Sequence, residues 1–230
     1  MKTIGLIGGT GWVSTLDYYR IINQEINRML GGLNSARCIL YSLNYADIDA
    51  NNKREDHRAN YRLVVDAAAK LKNASANCLV LCANTMHQYA DQLERDVKLP
   101  VIHIADSASH EINKKGLNTI GLLGTKFTME MDFYKKHLDT AGINTIVPVE
   151  EDRQFIHDTI MGELLKEIVN PGSKQKFLHI IEGLENNGAQ GIVLGCTEIP
   201  MLIKQADTHL PVFNTLELHA KAVAEFAVNG

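Results

Sequence analysis

Short apolar runs alternate along the chain with longer stretches in which apolar residues recur every three or four positions. The runs at residues 2–8, 38–43, 76–82, 101–104, 119–125, 145–149, 189–195 and 212–213 are too short for helices and read as buried parallel strands. Helical spacing predicts helices over residues 15–30, 61–71, 84–96, 105–115, 129–141, 153–168, 174–186, a short stretch after Pro200, and 216–228. In the first of these, Leu16, Tyr19, Ile22, Ile26 and Met29 mark one face. The polar stretch 44–58 reads as a hydrophilic loop, either simply solvated or bringing Asn51, Asn52, Lys53 and Arg54 to a substrate. Regular alternation of strand and helix makes this an α/β protein with parallel sheets.

The pattern repeats. Ala76-Asn77-Cys78-Leu79-Val80-Leu81-Cys82-Ala83-Asn84-Thr85 returns 113 positions later as Ala189-Gln190-Gly191-Ile192-Val193-Leu194-Gly195-Cys196-Thr197-Glu198. Thr3-Ile4-Gly5-Leu6-Ile7-Gly8 returns as Thr119-Ile120-Gly121-Leu122-Leu123-Gly124, and Leu99-Pro100-Val101 as Leu210-Pro211-Val212. Three landmarks in one order at nearly one offset predict two α/β lobes, residues 1–103 and 104–212, related by a pseudo-two-fold axis. Such a pair would face its strand-end loops across a cleft, where open α/β sheets bind ligands.

The repeated strand end carries the candidate chemistry. Cys196 follows an apolar run and precedes Pro200, where a helix can begin. A helix N-terminus there would lower the thiol from its ordinary pKa of ~8.5 toward neutrality. Cys196 would then be a base or nucleophile, and the most readily alkylated thiol near neutral pH, with Cys38 and Cys78 the least; the bland alternative is a small buried hydrophobe. The repeat pairs Cys196 with Ala83, and Gly195 with Cys82. Because strand side chains alternate, Cys82 would point away from the cleft unless the strand end kinks. Asn84 would cap the following helix, in whose first turn His87 reads as structural rather than catalytic.

Composition narrows the function classes. A net charge of −4, with short and scattered basic clusters, argues against a nucleic-acid surface. No apolar run reaches the ~18 residues of a membrane span, and Met1-Lys2 leads into a strand without a signal-peptide layout, so a cytoplasmic protein is expected. Four cysteines without regular spacing fit free thiols, and the nine histidines show no metal-ligand spacing. Gly8-Gly9-Thr10-Gly11 lacks the full dinucleotide fingerprint and its acidic residue ~20 positions on, so nicotinamide binding is not expected, and a loop of backbone N–H groups holding a carboxylate or other small anion suits the residues equally well.

With these motifs in view, the chain resembles the cofactor-independent aspartate/glutamate racemase family along nearly its whole length. Gly8-Gly9-Thr10-Gly11 with Ser14-Thr15, Asn84-Thr85-Met86-His87, Leu123-Gly124-Thr125 and above all Gly195-Cys196-Thr197-Glu198-Ile199-Pro200 carry the resemblance. It implies two Rossmann-like lobes related by a pseudo-two-fold axis, with a closing helix of residues 213–230 packing back on the first, and often a homodimer. It also implies racemisation of a small dicarboxylic amino acid by cysteines on opposite faces of the α-carbon, with no cofactor and no metal. Thr10, Asn84, Thr85, Thr125 and Thr197 would hold the carboxylates, joined by Asn52 and by Lys166 of a Glu-Leu-Leu-Lys segment. In two-cysteine members the first thiol directly precedes Asn-Thr, and here Ala83 stands there. A one-thiol enzyme protonating a single face, as a decarboxylase or lyase does, is thus the rival reading, and a binding protein that has lost turnover is the third.

Overall fold

The computed structural model describes all 230 residues, which divide into two compact units. The first comprises Met1–His103 and His219–Gly230, and the second Ile104–Leu218.

The first unit holds a three-stranded parallel sheet, β2-β1-β3, of β1 (Ile4–Gly8), β2 (Cys38–Ser42) and β3 (Cys78–Leu81). Its helices are α1 (Trp12–Leu30), α2 (Tyr45–Lys53), α3 (His57–Asn73) and α4 (Ala90–Val97). The segment read as a polar loop is therefore largely α2, with Asn44 capping it through an oxygen that accepts from the Ala46 N–H. Only Ile48 and Asn51 are buried in α2, so no apolar periodicity announced it. Asp56 caps α3 by accepting from the Ala59 N–H at 2.9 Å. The run at 101–104 forms no strand; Val101 makes a single bridge to Leu79, and Ile104 already opens the next helix.

The second unit repeats the order with one strand more, β5-β4-β6-β7, all parallel: β4 (Thr119–Leu123), β5 (Asn144–Ile146), β6 (Ile192–Leu194) and β7 (Val212–Asn214). The helix expected over 129–141 is two pieces, α6 (Lys126–Glu130) and α7 (Asp132–Thr140), parted at Met131 in extended geometry. With α5 (Ile104–Lys114), α8 (Glu150–Gly162) and α9 (Pro171–Asn186) they cover both sheet faces. Ile192 and Leu194 pack with Phe177, Ile156 and Ile160 on one side, while Val193 packs with Ile104, Ile112 and Tyr134 on the other. A strand buried on both faces is why these segments read as continuous apolar runs. The short α10 (Ile199–Leu202) follows β6, and α11 (Thr215–Asn229) begins in the second unit and ends in the first. No helix is long and apolar enough to cross a membrane, and all four cysteines are free.

In the first unit α11 is held by His219, which is fully buried. Its Nδ1 accepts from the Tyr18 hydroxyl at 2.7 Å, and its Nε2–H donates to the Ile102 carbonyl at 2.8 Å. Burial, and next the neighbouring His87 ring, hold its pKa well below the ordinary imidazole value, while the Ile102 carbonyl pulls the other way. The unfolded chain binds this proton below pH ~6.5 and the folded one does not, so the stability His219 contributes is complete above that pH and is lost as pH falls. The melting temperature should therefore drop below pH ~6.5, and His219→Gln should flatten the drop; equal slopes in both proteins would contradict this.

Candidate functional site

All the expected site residues except Asn52, which lies in α2, and Lys166 fall at the carboxyl ends of neighbouring strands within each unit, where a parallel sheet offers unpaired backbone groups. In the first unit β1 runs into Gly9-Thr10-Gly11. Gly9 has φ +84°, and a Cβ there would lie 2.0 Å from the Leu43 carbonyl oxygen, so only glycine lets this loop close against the end of β2. Thr15 Oγ1 accepts from the Gly9 N–H at 3.0 Å. The Ser14 hydroxyl lies within hydrogen-bonding distance of the carbonyls of Gly11 (2.8 Å) and Cys82 (3.2 Å), tying the β1 loop to the end of β3. Thr10 Oγ1 is buried and has no hydrogen-bond partner, an arrangement that suits a donor awaiting a ligand.

After β3 come Ala83, Asn84 and Thr85. Ala83, not Asn84, occupies the cap position of a 3-10 turn, Asn84–Tyr89, that precedes α4. The His87 Nδ1–H donates to the Ala83 carbonyl at 3.0 Å, and its ring packs edge-on against His103 and His219, so it supports the loop from below.

In the second unit Thr125 follows β4, and Cys196-Thr197 follows β6. The two strand ends touch, since a Cβ on Gly124 would lie 3.1 Å from the Gly195 carbonyl. Thr125 caps α6 through its contacts with Thr128. Lys166 lies exposed in the 3-10 turn Leu164–Lys166, which packs near α10, and it makes no ion pair. Glu163 of the same segment accepts instead from the Ser173 hydroxyl at 2.8 Å.

The register of the two units can be compared strand by strand. Leu81 pairs with Ile7, and the next N–H, that of Cys82, donates to the Ile7 carbonyl at 2.9 Å. Leu194 pairs with Leu123, and the next N–H, that of Gly195, donates to the Leu123 carbonyl at 2.6 Å. Cys82 thus stands where Gly195 stands, and Ala83 where Cys196 stands. The packing agrees: Leu79, Leu81 and Ala83 share one core cluster, as Ile192, Leu194 and Cys196 share another, and Cys82 belongs to the opposite face. Cys82 is wholly buried, and burial pushes its thiol far up. No kink brings it round.

Cys196 does not have the lowered pKa expected from a helix N-terminus. Burial first, then the charge and hydrogen bond of Glu198, hold its thiol well above the ordinary value; the N–H groups of Glu198 and Thr197 pull it down and are outweighed. The helix is only four residues long, so its dipole is slight. Glu198 is a neighbour of the thiol that motif reading missed: one of its oxygens accepts both the Cys196 Sγ–H at 2.9 Å and the Thr197 hydroxyl at 2.8 Å. An acid two positions after a strand-end cysteine was the available signal. The alkylation order read from the sequence loses the basis it was given, because Cys196 is buried with its thiol held up rather than lowered, while Cys38 is partly exposed and burial raises its thiol too. Glu198→Gln removes the negative charge beside the thiol, so Cys196 should form thiolate at lower pH and react with iodoacetamide about tenfold faster at pH 7.5. An unchanged rate would contradict that electrostatic assignment.

A cavity of about 510 Å³ in the first unit, lined by His57, Arg58, Tyr61, Arg62, Tyr89 and Gln92, includes none of the expected site residues.

A family model described as Asp/Glu/Hydantoin racemase matches residues 7–223. The chain is 43% identical to a candidate Asp/Glu racemase from Yersinia pestis, whose crystal structure superposes with a TM-score of 0.95 over 100% of both chains. It is 36% identical to an aspartate racemase homologue from Pyrococcus horikoshii, with a TM-score of 0.85 over 99% of each. The broad-specificity amino-acid racemase of Bacillus subtilis is 22% identical over 228 residues, 95% of either chain.

Proposed function

Because the chain belongs to the Asp/Glu/hydantoin racemase family, a family of isomerases, we propose that it moves the α-proton of a small acidic amino acid, aspartate or glutamate, with Cys196 as acid and base. The observation that carries the proposal is the Cys196–Glu198 pair at the end of β6, a thiol whose proton already has an acceptor 2.9 Å away.

An α-proton beside a carboxylate is very weakly acidic, so its removal needs a positioned base and donors that hold the carboxylates as charge builds. In the resting site the Cys196 thiol keeps its proton, shared with Glu198. Passing that proton to Glu198 leaves a thiolate that takes the α-proton on one face. The N–H groups of Thr197 and Glu198 steady the thiolate, as their downward pull on the thiol indicates, while the Thr197 hydroxyl donates to Glu198. The buried, partnerless hydroxyl of Thr10, the side chains of Asn52, Asn84, Thr85 and Thr125, and the exposed ammonium of Lys166 supply donors for the carboxylates. No step of this proton transfer calls for a cofactor.

In two-cysteine members, as the resemblance implies, the residue directly before Asn-Thr carries the thiol for the opposite face; Ala83 stands there in this chain, so proton delivery to that face falls to a weaker donor. Inversion should then lag behind exchange. That the relatives are named racemases supports racemisation over the decarboxylase and binding-protein readings. Incubation with each enantiomer of aspartate and glutamate, followed by polarimetry, tests the proposal. A slow decay of rotation for one of these amino acids is expected; unchanged rotation together with an unchanged α-proton NMR signal for all four would overturn it. We further propose that the active form is a homodimer, as the family resemblance implies, and that it is located in the cytoplasm, as the sequence reading expects.

A further inference from the structure

Four side chains at the α2–α3 corner are hydrogen-bonded in a single direction. Arg54 Nη2 donates to Asn51 Oδ1 at 2.7 Å, Asn51 Nδ2 donates to Asn60 Oδ1 at 2.9 Å, and Asn60 Nδ2 donates to Asn52 Oδ1 at 2.7 Å. Asn60 and Asn51 are 2% and 7% exposed, so neither can turn to water. Each amide receives at its oxygen and passes on at its nitrogen. A guanidinium has only donors, which fixes the polarity at the start, because flipping Asn51 would set its NH2 against Arg54. Tyr89 lies beside this corner: its hydroxyl donates to the His57 carbonyl at 3.3 Å, and burial raises the phenol pKa against a smaller downward pull from the neighbouring Asn60 side chain. At the end of the chain the oxygen of Asn52 is taken, while its NH2 donates to no group of the protein.

We propose that Arg54, Asn51 and Asn60 are positioning residues that hold the Asn52 amide with its NH2, not its oxygen, toward the substrate carboxylate. The proposal rests on Asn52 being a carboxylate donor, as proposed above. Oxygen and NH2 of an amide have nearly the same shape and opposite hydrogen-bonding character, so an untethered asparagine can turn either one toward a ligand. A carboxylate only accepts, and meeting the amide oxygen replaces a charge-assisted hydrogen bond with a repulsion. A directional chain that starts at a cation removes that choice, and each bond in it polarises the next.

The chain can be reversed without changing its shape. In Asn60→Asp the side chain cannot donate, so Asn52 must turn its NH2 inward and present oxygen. Arg54→Glu, at an exposed position, reverses all three bonds from the other end, while Arg54→Lys keeps the donor and the direction. In the free protein, the side-chain NH2 protons of Asn52 should move downfield in 15N–1H spectra of Asn60→Asp and Arg54→Glu and stay in place in Arg54→Lys; unmoved resonances in the two reversing variants would overturn the proposal. In exchange kinetics with aspartate or glutamate, both reversing variants should raise KM about tenfold with kcat changed much less, and Arg54→Lys should restore the native KM. In an Asn52→Ala background, Asn60→Asp should raise KM no further; an additive rise would show that Asn60 acts by another route and overturn the proposal. If the native protein exchanges no acidic amino acid, the function proposed above fails, and the spectra of the free protein still decide the direction of the chain.

Discussion

Replacing Cys196 with alanine should reduce α-proton exchange of the acidic substrate by about 10²–10⁴-fold, the contribution typical of a positioned acid–base group. The side chain lost is small, and it sits at a strand end where neighbouring Leu194 and Ile199 keep the packing intact, so the fold should tolerate the change. Binding of the carboxylates should survive, because the donors assigned to them do not include the thiol. The loss should therefore appear in kcat, with KM little altered. Calorimetric titration with the slow substrate and proton-exchange rates by NMR would separate the two. A variant that still exchanges at the native rate would remove Cys196 from the chemistry and with it the role assigned to Glu198.

The second large effect is a gain. Ala83→Cys places a thiol at the position that the strand register pairs with Cys196, and inversion should accelerate by about 10²-fold relative to exchange. Ala83 is 7% exposed, as Cys196 is 8% exposed, so the new thiol enters surroundings of similar burial. Cys82→Ala should change neither rate, since Cys82 lies on the opposite face of β3 and is wholly buried. Measured by polarimetry and NMR on the same samples, an Ala83→Cys protein that folds and binds but inverts no faster than the native one would break the pairing.

The strands were the most legible part of the fold, because a parallel strand buried on both faces writes itself as an unbroken apolar run, and β1, β3, β4 and β6 all do. The same signal misled at 101–104, where the run is apolar for a different reason: Ile104 begins α5 and turns into the core of the second unit. Helix α2 was invisible to periodicity because it buries one apolar side chain and is held by its cap and its asparagines. Met131 divides one periodic stretch into two helices through a backbone conformation that the pattern of apolar residues does not encode.

For the site, the register of Cys196 against Ala83 followed from an internal repeat and the two-residue period of a strand, both of which are properties of sequence. The electrostatics did not follow. A helix N-terminus argues for a depressed thiol, and only the folded chain shows Glu198 turned back to accept from Cys196. Asn60 carried a signal that can be read in hindsight. It lies on the buried stripe of α3 with Val64, Ala67 and Leu71, and a polar residue on an apolar stripe must be satisfied by neighbours.

Exchange of the native protein in deuterated water tests the central claim most directly, that one thiol, Cys196, serves one face of the α-carbon. Each enantiomer of aspartate and glutamate would be followed by NMR for loss of the α-proton and by polarimetry for inversion. The expected result is that one enantiomer of one amino acid loses its α-proton signal well ahead of any inversion, and that Cys82→Ala leaves both time courses unchanged. Exchange and inversion proceeding in step, with both lost on Cys82→Ala, would contradict it and make Cys82 the second base.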